Sequence, residues 1–311
     1  MVNAAALVTL HGSPLQQNFQ AINREAMANK LAKKPEIMRV LEPSWPPGCR
    51  RLTPGPGYLE ALVEDNVNFV STKIKRFTPN GIETVDGKTR DVDLVICATG
   101  FDTTCKGPPL VGRGGRELND VWEPYPKSYW GICPPEMPNM FRFIGPNGAS
   151  GTGGLIHLLE CACEFMIRVV QKAQREYIMS MMPKMEAIDT FTEHVDLYFT
   201  KTIYTQPCKS WMKRGKEDGR VITIWPGSAL HAAYAYENPR WEDFEYTYHK
   251  LAQGNYMAWL GNGLTMLQER NEHTTEYLDT VDKPPVINEI DDHTPNGAGR
   301  LVHDLVVPDG I

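Results

Sequence analysis

Asp91-Val92-Asp93-Leu94-Val95-Ile96-Cys97-Ala98-Thr99-Gly100-Phe101-Asp102 is the stretch on which the reading of the fold turns. From Leu94 to Ala98 the run is apolar without alternation, the pattern of a central strand covered on both faces, and it predicts a buried strand over 92–98. The run stops on Gly100, where a backbone without Cβ admits close approach of a ligand. In open α/β sheets, ligands bind beyond such carboxyl ends. The glycine-rich first turn G-x-G-x-x-G, which usually holds a dinucleotide in these folds, occurs nowhere in the 311 residues.

Upstream, segments 66–71, 74–78 and 81–85 read as short strands, with turn chemistry at Asn80-Gly81 and Asp86-Gly87. A small β-meander therefore feeds the buried strand. Before it, Cys49-Arg50-Arg51-Leu52-Thr53-Pro54-Gly55-Pro56-Gly57-Tyr58 cannot be regular structure through two Pro-Gly pairs, so Arg50 and Arg51 sit on a shaped turn ahead of a helix at 58–64. Residues 1–35 read as a helical lead-in, with Phe19, Ile22, Ala26 and Leu31 loosely on one side, broken by Pro35, Pro43, Pro46 and Pro47.

Downstream, a Gly- and Pro-rich loop leads to a strand at 140–144 and then to Gly145-Pro146-Asn147-Gly148-Ala149-Ser150-Gly151-Thr152-Gly153-Gly154. A long helix follows, with Leu155, Leu158, Leu159, Ala162, Met166, Val169, Val170 and Ala173 at helical spacing. A second helix at 183–200, a strand at 220–225 and a helix near 239–251 complete the pattern. Three regions are expected: a lead-in and turn at 1–57, cofactor-type domains at 58–270, and a polar, weakly ordered tail at 271–311.

The net charge of −6 and a pI near 5.8 exclude the basic footprint of a nucleic-acid binder and favour small-molecule ligands. Seven scattered cysteines with no C-x-x-C pair, and histidines without partner spacing, predict no metal site and fit a reducing, cytoplasmic setting. No stretch reaches about 18 apolar residues, so no membrane span is expected.

Two readings stand at each candidate position. The loop 145–154 either cradles the electron-rich edge of a ligand against the helix N-terminus or is a tight connection. Arg50 and Arg51 either stabilise an anion, since a guanidinium is a permanent charge with several donors, or solvate a surface turn. The aromatic stretch from Trp225 to Tyr236 is either a pocket wall or core.

Several ordered blocks together resemble the class B flavin monooxygenases, and the Baeyer–Villiger branch in particular. They are Gly48-Cys49-Arg50-Arg51, Tyr58 with Glu60, Glu64-Asp65-Asn66-Val67, Asn80-Gly81-Ile82, Asp93 and Cys97-Ala98-Thr99-Gly100-Phe101-Asp102. The run from Arg50 to Leu62, with Pro138-Asn139, Gly145-Pro146, Ser210-Trp211 and Trp225-Pro226-Gly227-Ser228, resembles members from fungal natural-product pathways. The resemblance covers roughly residues 35–262. It implies a two-dinucleotide-binding-domain, Rossmann-like α/β flavoprotein fold, here incomplete. It also implies FAD reduced by NADPH, oxygen addition, and attack on a ketone to give an ester or lactone.

Roles follow from the resemblance residue by residue. Arg51, with Arg50 beside it, matches the arginine that stabilises the oxygenated flavin anion and positions the nicotinamide. Ala98, Thr99 and Gly100 match the junction between the two cofactor domains. Gly145, Pro146 and Gly153 match the loop against the flavin ring, and Trp211 matches a mobile-loop tryptophan near the nicotinamide.

The family's N-terminal glycine turns, its intervening fingerprint and the acidic partner of the catalytic arginine have no counterpart here, and Met212-Lys213-Arg214 replaces small and amide residues after the tryptophan. The expectation is thus a C-terminal half with three readings: a split enzyme completed by an N-terminal polypeptide, an inactive truncated remnant, or a non-catalytic partner-binding protein.

Overall fold

A computed structural model describes residues 7–51, 55–101, 107–252 and 254–271. The expected tail, apart from Asn271, lies outside the described residues, as do Leu52, Thr53, Pro54 and Asp102. The chain divides into two units, residues 1–259 and 260–311.

The first helix, α1 (Pro14–Lys30), starts where local chemistry places it: the Ser13 hydroxyl accepts the Gln16 backbone N–H at 3.1 Å, and Pro14 fills the first turn. Pro35, expected as a breaker, instead opens α2 (Pro35–Leu41), because a proline at the first helical position gives up no needed donor. Leu31, Ile37 and Val63, the last capping α3 (Tyr58–Leu62), close a small core of their own. The Gln16 amide donates to the Pro47 carbonyl at 3.2 Å, which ties α1 to the start of the arginine turn.

The meander forms in part: the strands expected at 74–78 and 81–85 appear, while 66–71 is replaced as the third member by 89–91. Strands β1 (Ile74–Thr78), β2 (Gly81–Thr84) and β3 (Thr89–Asp91) pair antiparallel in that order, with Phe77 opposite Ile82. Gly81 is obligatory, since a Cβ there would lie 1.9 Å from the Arg90 carbonyl oxygen.

The predicted strand 92–98 does not form. The Val92 N–H still reaches the Asn80 carbonyl at 3.1 Å, but from Asp93 to Phe101 no described backbone partner follows. Leu94, Ile96 and Phe101 are 76, 83 and 97% exposed. A two-sided buried strand exists only between neighbours, and none of the described residues supplies them. Residues 67–71 likewise make no ladder.

The main core surrounds α5 (Leu155–Arg175), whose Leu158, Ala162, Phe165 and Val169 are buried. They pack with Tyr129, Ile132, Ile188 of α6 (Met185–Phe199), Trp225, and Ala232 and Tyr236 of α7 (Ala229–Glu237). Trp225 and Tyr236 are therefore core, which decides the aromatic stretch against a purely pocket-lining reading.

The helix expected near 239–251 is instead a 3-10 turn, Trp241–Asp243, followed by β5 (Phe244–Tyr248), paired antiparallel with β4 (Ile178–Pro183). Aromatics at every second residue, Phe244, Tyr246 and Tyr248, are strand chemistry that a helical reading overlooks.

The predicted strands 140–144 and 220–225 are also irregular. The Arg142 and Gly145 N–H groups turn to the Ile132 and Gly131 carbonyls, and Ile144 takes a left-handed φ of 53°. Segment 220–225 keeps one parallel bridge, Ile224 with Ala149. In the second unit, a capping box between Thr265 and Gln268 closes the short helix Met266–Glu269.

Two outcomes follow from this core. Phe165 is fully buried, with ring centroids of Trp130 and Tyr236 each 6.1 Å away. Phe165→Ala is expected to cost about 3–5 kcal/mol in denaturant unfolding; a loss under about 1 kcal/mol would show that the ring is not a core element.

The second concerns His231, whose Nδ1 accepts the Trp225 indole N–H at 2.9 Å. Burial, with His194 nearby, holds its pKa below the usual 6.5. The unfolded chain then takes up the proton first as pH falls, so stability present above about 6.5 is lost on further acidification. The thermal midpoint should fall accordingly, and His231→Phe should flatten that slope; an unchanged slope in the variant refutes the assignment.

Candidate functional site

The arginine turn and the tryptophan segment meet. The Arg51 guanidinium carbon lies 5.4 Å from the centroid of the Trp211 ring, within cation–π range, while Arg50 lies 4.3 Å from that of Trp45. The two arginines therefore take different partners, and Arg51 is the one facing the segment around Trp211.

Local chemistry holds both sides. The Cys49 N–H bonds the Pro46 carbonyl at 3.1 Å, and Gly48, at φ 97°, sits so close to Ile203 that a Cβ would touch its Cδ1 at 3.0 Å. On the other side, the Ser210 hydroxyl accepts the Met212 N–H and starts the 3-10 turn Trp211–Lys213. Cys49 and Cys208 are joined by a disulfide, which the scattered cysteine spacing gave no reason to expect.

Lys213, within the departure from the family pattern, is buried, and its ammonium donates to the carbonyls of Gln206 at 2.8 Å and Glu217 at 2.5 Å. Burial lowers its pKa, and the two carbonyls fix the segment as a closed loop.

The glycine loop divides in two. Residues 145–150 are buried and structural: Ser128 donates to the Pro146 carbonyl at 2.7 Å, and a Cβ on Gly145 would lie 2.6 Å from the Gly131 oxygen. Asn147, in a left-handed conformation at φ 58°, donates its side-chain amide to the carbonyls of Val221 and Ile224 at 3.1 and 3.0 Å.

From Gly151 onward, by contrast, the chain is largely open. Gly153, at φ 102°, packs against Ala229, and α5 begins at Gly154 without a side-chain cap. Gly153, Gly154 and Ile156 around that helix start are exposed, and a helix start carries unsatisfied N–H groups and a partial positive charge. Gly145 and Pro146 thus sit in a tight connection, while the stretch from Gly153 is exposed.

Tyr204 links the two halves of the site, a role with no motif to announce it. Its hydroxyl would stand 3.2 Å from a Cβ on Gly151, and its ring packs with Phe199, Met212, Val221 and Ile224. Ala98, Thr99 and Gly100 stand apart in the exposed segment, with Gly100 at φ 86° and nothing within 4 Å of a Cβ there. Their neighbourhood to the other site residues is not formed within the described chain. No group of three or more potential metal ligands occurs among the described residues, and no described helix is long and apolar enough to cross a membrane.

No family model matches the chain. Over 256 residues it is 39% identical to the FAD-binding monooxygenase stcW of Emericella nidulans, covering 82% of this chain and 42% of that protein. A Baeyer-Villiger monooxygenase of Pseudomonas aeruginosa is 30% identical over 202 residues, 64% of this chain and 38% of its own length. The fold matches the crystal structure of cyclohexanone monooxygenase from Rhodococcus sp. Phi1 bound to NADP+, with a TM-score of 0.69 at 25% identity over 77% of this chain and 46% of that one.

The chain thus spans less than half the length of the proteins it matches. The α/β class is that of a two-dinucleotide-binding flavoprotein matched in part, with two small sheets among the described residues. In sequence and in fold, this chain corresponds to part of the FAD-binding monooxygenases of Baeyer–Villiger type.

Proposed function

We propose that this chain supplies the C-terminal half of an FAD- and NADPH-dependent monooxygenase acting on a ketone intermediate of secondary metabolism, and that an N-terminal polypeptide completes it. The observation that carries this reading is the contact of Arg51 with Trp211 on two segments anchored to the wall of the glycine loop.

The residues present fit one part of the cofactor and not the rest. The uncapped start of α5 beside Gly153 offers free N–H donors and a positive field suited to the electron-rich edge of a flavin ring. For the pyrophosphate no glycine turn is available. Bound FAD supplies the redox and oxygen-transfer chemistry.

In this reading Arg51 holds its fixed positive charge beside the reacting oxygen and orients the nicotinamide carboxamide, with the Trp211 ring limiting the directions its fork takes. Arg50, stacked on Trp45, steadies the turn. Ala98, Thr99 and Gly100 bring backbone close to cofactor once segment 92–101 is covered. The exposed Leu94, Ile96 and Phe101 are the surface on which the completing half docks, since so much apolar area beside unpaired backbone is a strand waiting for neighbours.

Four measurements test the reading. The 311-residue chain alone is expected to bind FAD weakly, and recovery of stoichiometric flavin from it would refute the need for a second half. Co-purified with an N-terminal half of the family carrying G-x-G-x-x-G, it should give yellow protein whose NADPH oxidation depends on oxygen and ketone; a colourless, inactive complex would favour the inactive-remnant reading. In that complex Arg51→Ala should lower product formation about 100-fold or more with flavin still bound, whereas the double change Leu94→Asp with Ile96→Asp should abolish assembly by size-exclusion chromatography.

A further inference from the structure

Cys49 stands two residues before Arg51, and Cys208 three residues before Trp211. Their disulfide closes a loop between positions 159 residues apart, with a Cα–Cα distance of 6.7 Å. Both cysteines are about 1% exposed. The covalent bond and the cation–π contact therefore join the same two segments at adjoining points. We propose that Cys49 and Cys208 form a thiol–disulfide latch that positions Arg51 against Trp211.

In the oxidised form the arginine turn cannot lift from the tryptophan segment beyond the reach of the bond. In the reduced form the described contacts that remain include the packing of Gly48 on Ile203, the Gln16–Pro47 hydrogen bond and the Arg51–Trp211 contact, none of them covalent. The burial of both sulfurs sharpens the coupling, because a small thiolate reaches either one only when the turn lifts.

The step exchanges two electrons and two protons. Two S–H bonds of Cys49 and Cys208 are lost and one S–S bond forms, while a low-molecular-weight disulfide such as oxidised glutathione is reduced to two thiols. The other described cysteines are not drawn in: Cys133 is buried with its thiol pKa pushed far up by that burial, and Cys97, Cys161 and Cys163 have no disulfide partner.

The coupling is reciprocal. If the disulfide favours the Arg51–Trp211 contact, the contact must favour the disulfide by the same factor, whereas a staple that merely tethers two segments has no such dependence. This proposal rests on the preceding functional reading only in treating Arg51 and Trp211 as functional. Its test uses no flavin, so either can fail alone.

The full 311-residue chain is equilibrated in glutathione buffers of graded ratio and acid-quenched, and the fraction of the Cys49–Cys208 peptide is read by non-reducing peptide mapping. The expected result is a titratable Cys49–Cys208 peptide whose formation constant falls about two- to fivefold in Arg51→Ala and in Trp211→Ala, less in Arg51→Lys, and not at all in the remote Arg39→Ala. Where circular dichroism shows that an alanine variant has unfolded, Arg51→Lys and Trp211→Phe carry the comparison. Absence of the Cys49–Cys208 peptide at every ratio, or one constant shared by the wild type and the folded Arg51 and Trp211 variants, overturns the latch.

Discussion

The side chain of Asn147 holds the site together. One amide, itself buried, donates to two carbonyls of segment 221–224, while the backbone N–H groups of Asn147 and Ala149 donate to the Ile222 and Thr223 carbonyls, each at 2.9 Å. Segment 221–224 in turn receives the tryptophan loop through the Ile222 N–H and the Met212 carbonyl at 3.0 Å. This clamp works beside the Trp225 N–H on the Ala149 carbonyl at 2.8 Å and the Ala229 N–H on the Thr152 carbonyl at 3.0 Å, which tie the same loop to the segment leading into α7. In a buried setting each lost partner exposes a desolvated carbonyl, costing about 1–3 kcal/mol apiece.

Around that clamp the chain shows two regimes. The C-terminal part, centred on α5, has what an independent core needs: an amphipathic helix, an antiparallel pair against it, and aromatic contacts such as Trp225 on Tyr236 at 5.6 Å. The stretch from the meander to Phe101 is organised locally by hairpin chemistry and ion pairs, such as Lys75 and Arg76 on Glu83 at 2.7 and 2.6 Å. Such exposed pairs contribute little. Nothing among the described residues covers what the hairpin leads into.

The sequence was readable where a local rule governed and opaque where partners did. Ser13 capping α1, the Asn80-Gly81 turn and the spacing of α5 were legible because each depends on near neighbours. The buried strand expected at 92–98 does not form and its side chains are exposed, since burial is a property of the neighbours. The pairing of β4 with β5 stands where the sequence reading placed a helix near 239–251, against the alternation of Phe244, Tyr246 and Tyr248.

At the site, Arg51 and Trp211 were legible only through ordered resemblance, and the structure brings them together. Tyr204, Asn147 and the Cys49–Cys208 pair carry no motif. The one hint available was that both cysteines lie beside residues already singled out.

The uncovered segment 93–101 has a consequence for the chain in solution. Backbone donors and acceptors without partners, set beside Leu94, Ile96 and Phe101, form a template that recruits any extended segment offering the same complement, including that of another copy. Self-association of this kind rises steeply with concentration, so the chain's behaviour in solution is set by how much of it is present, ahead of the stability of its own core.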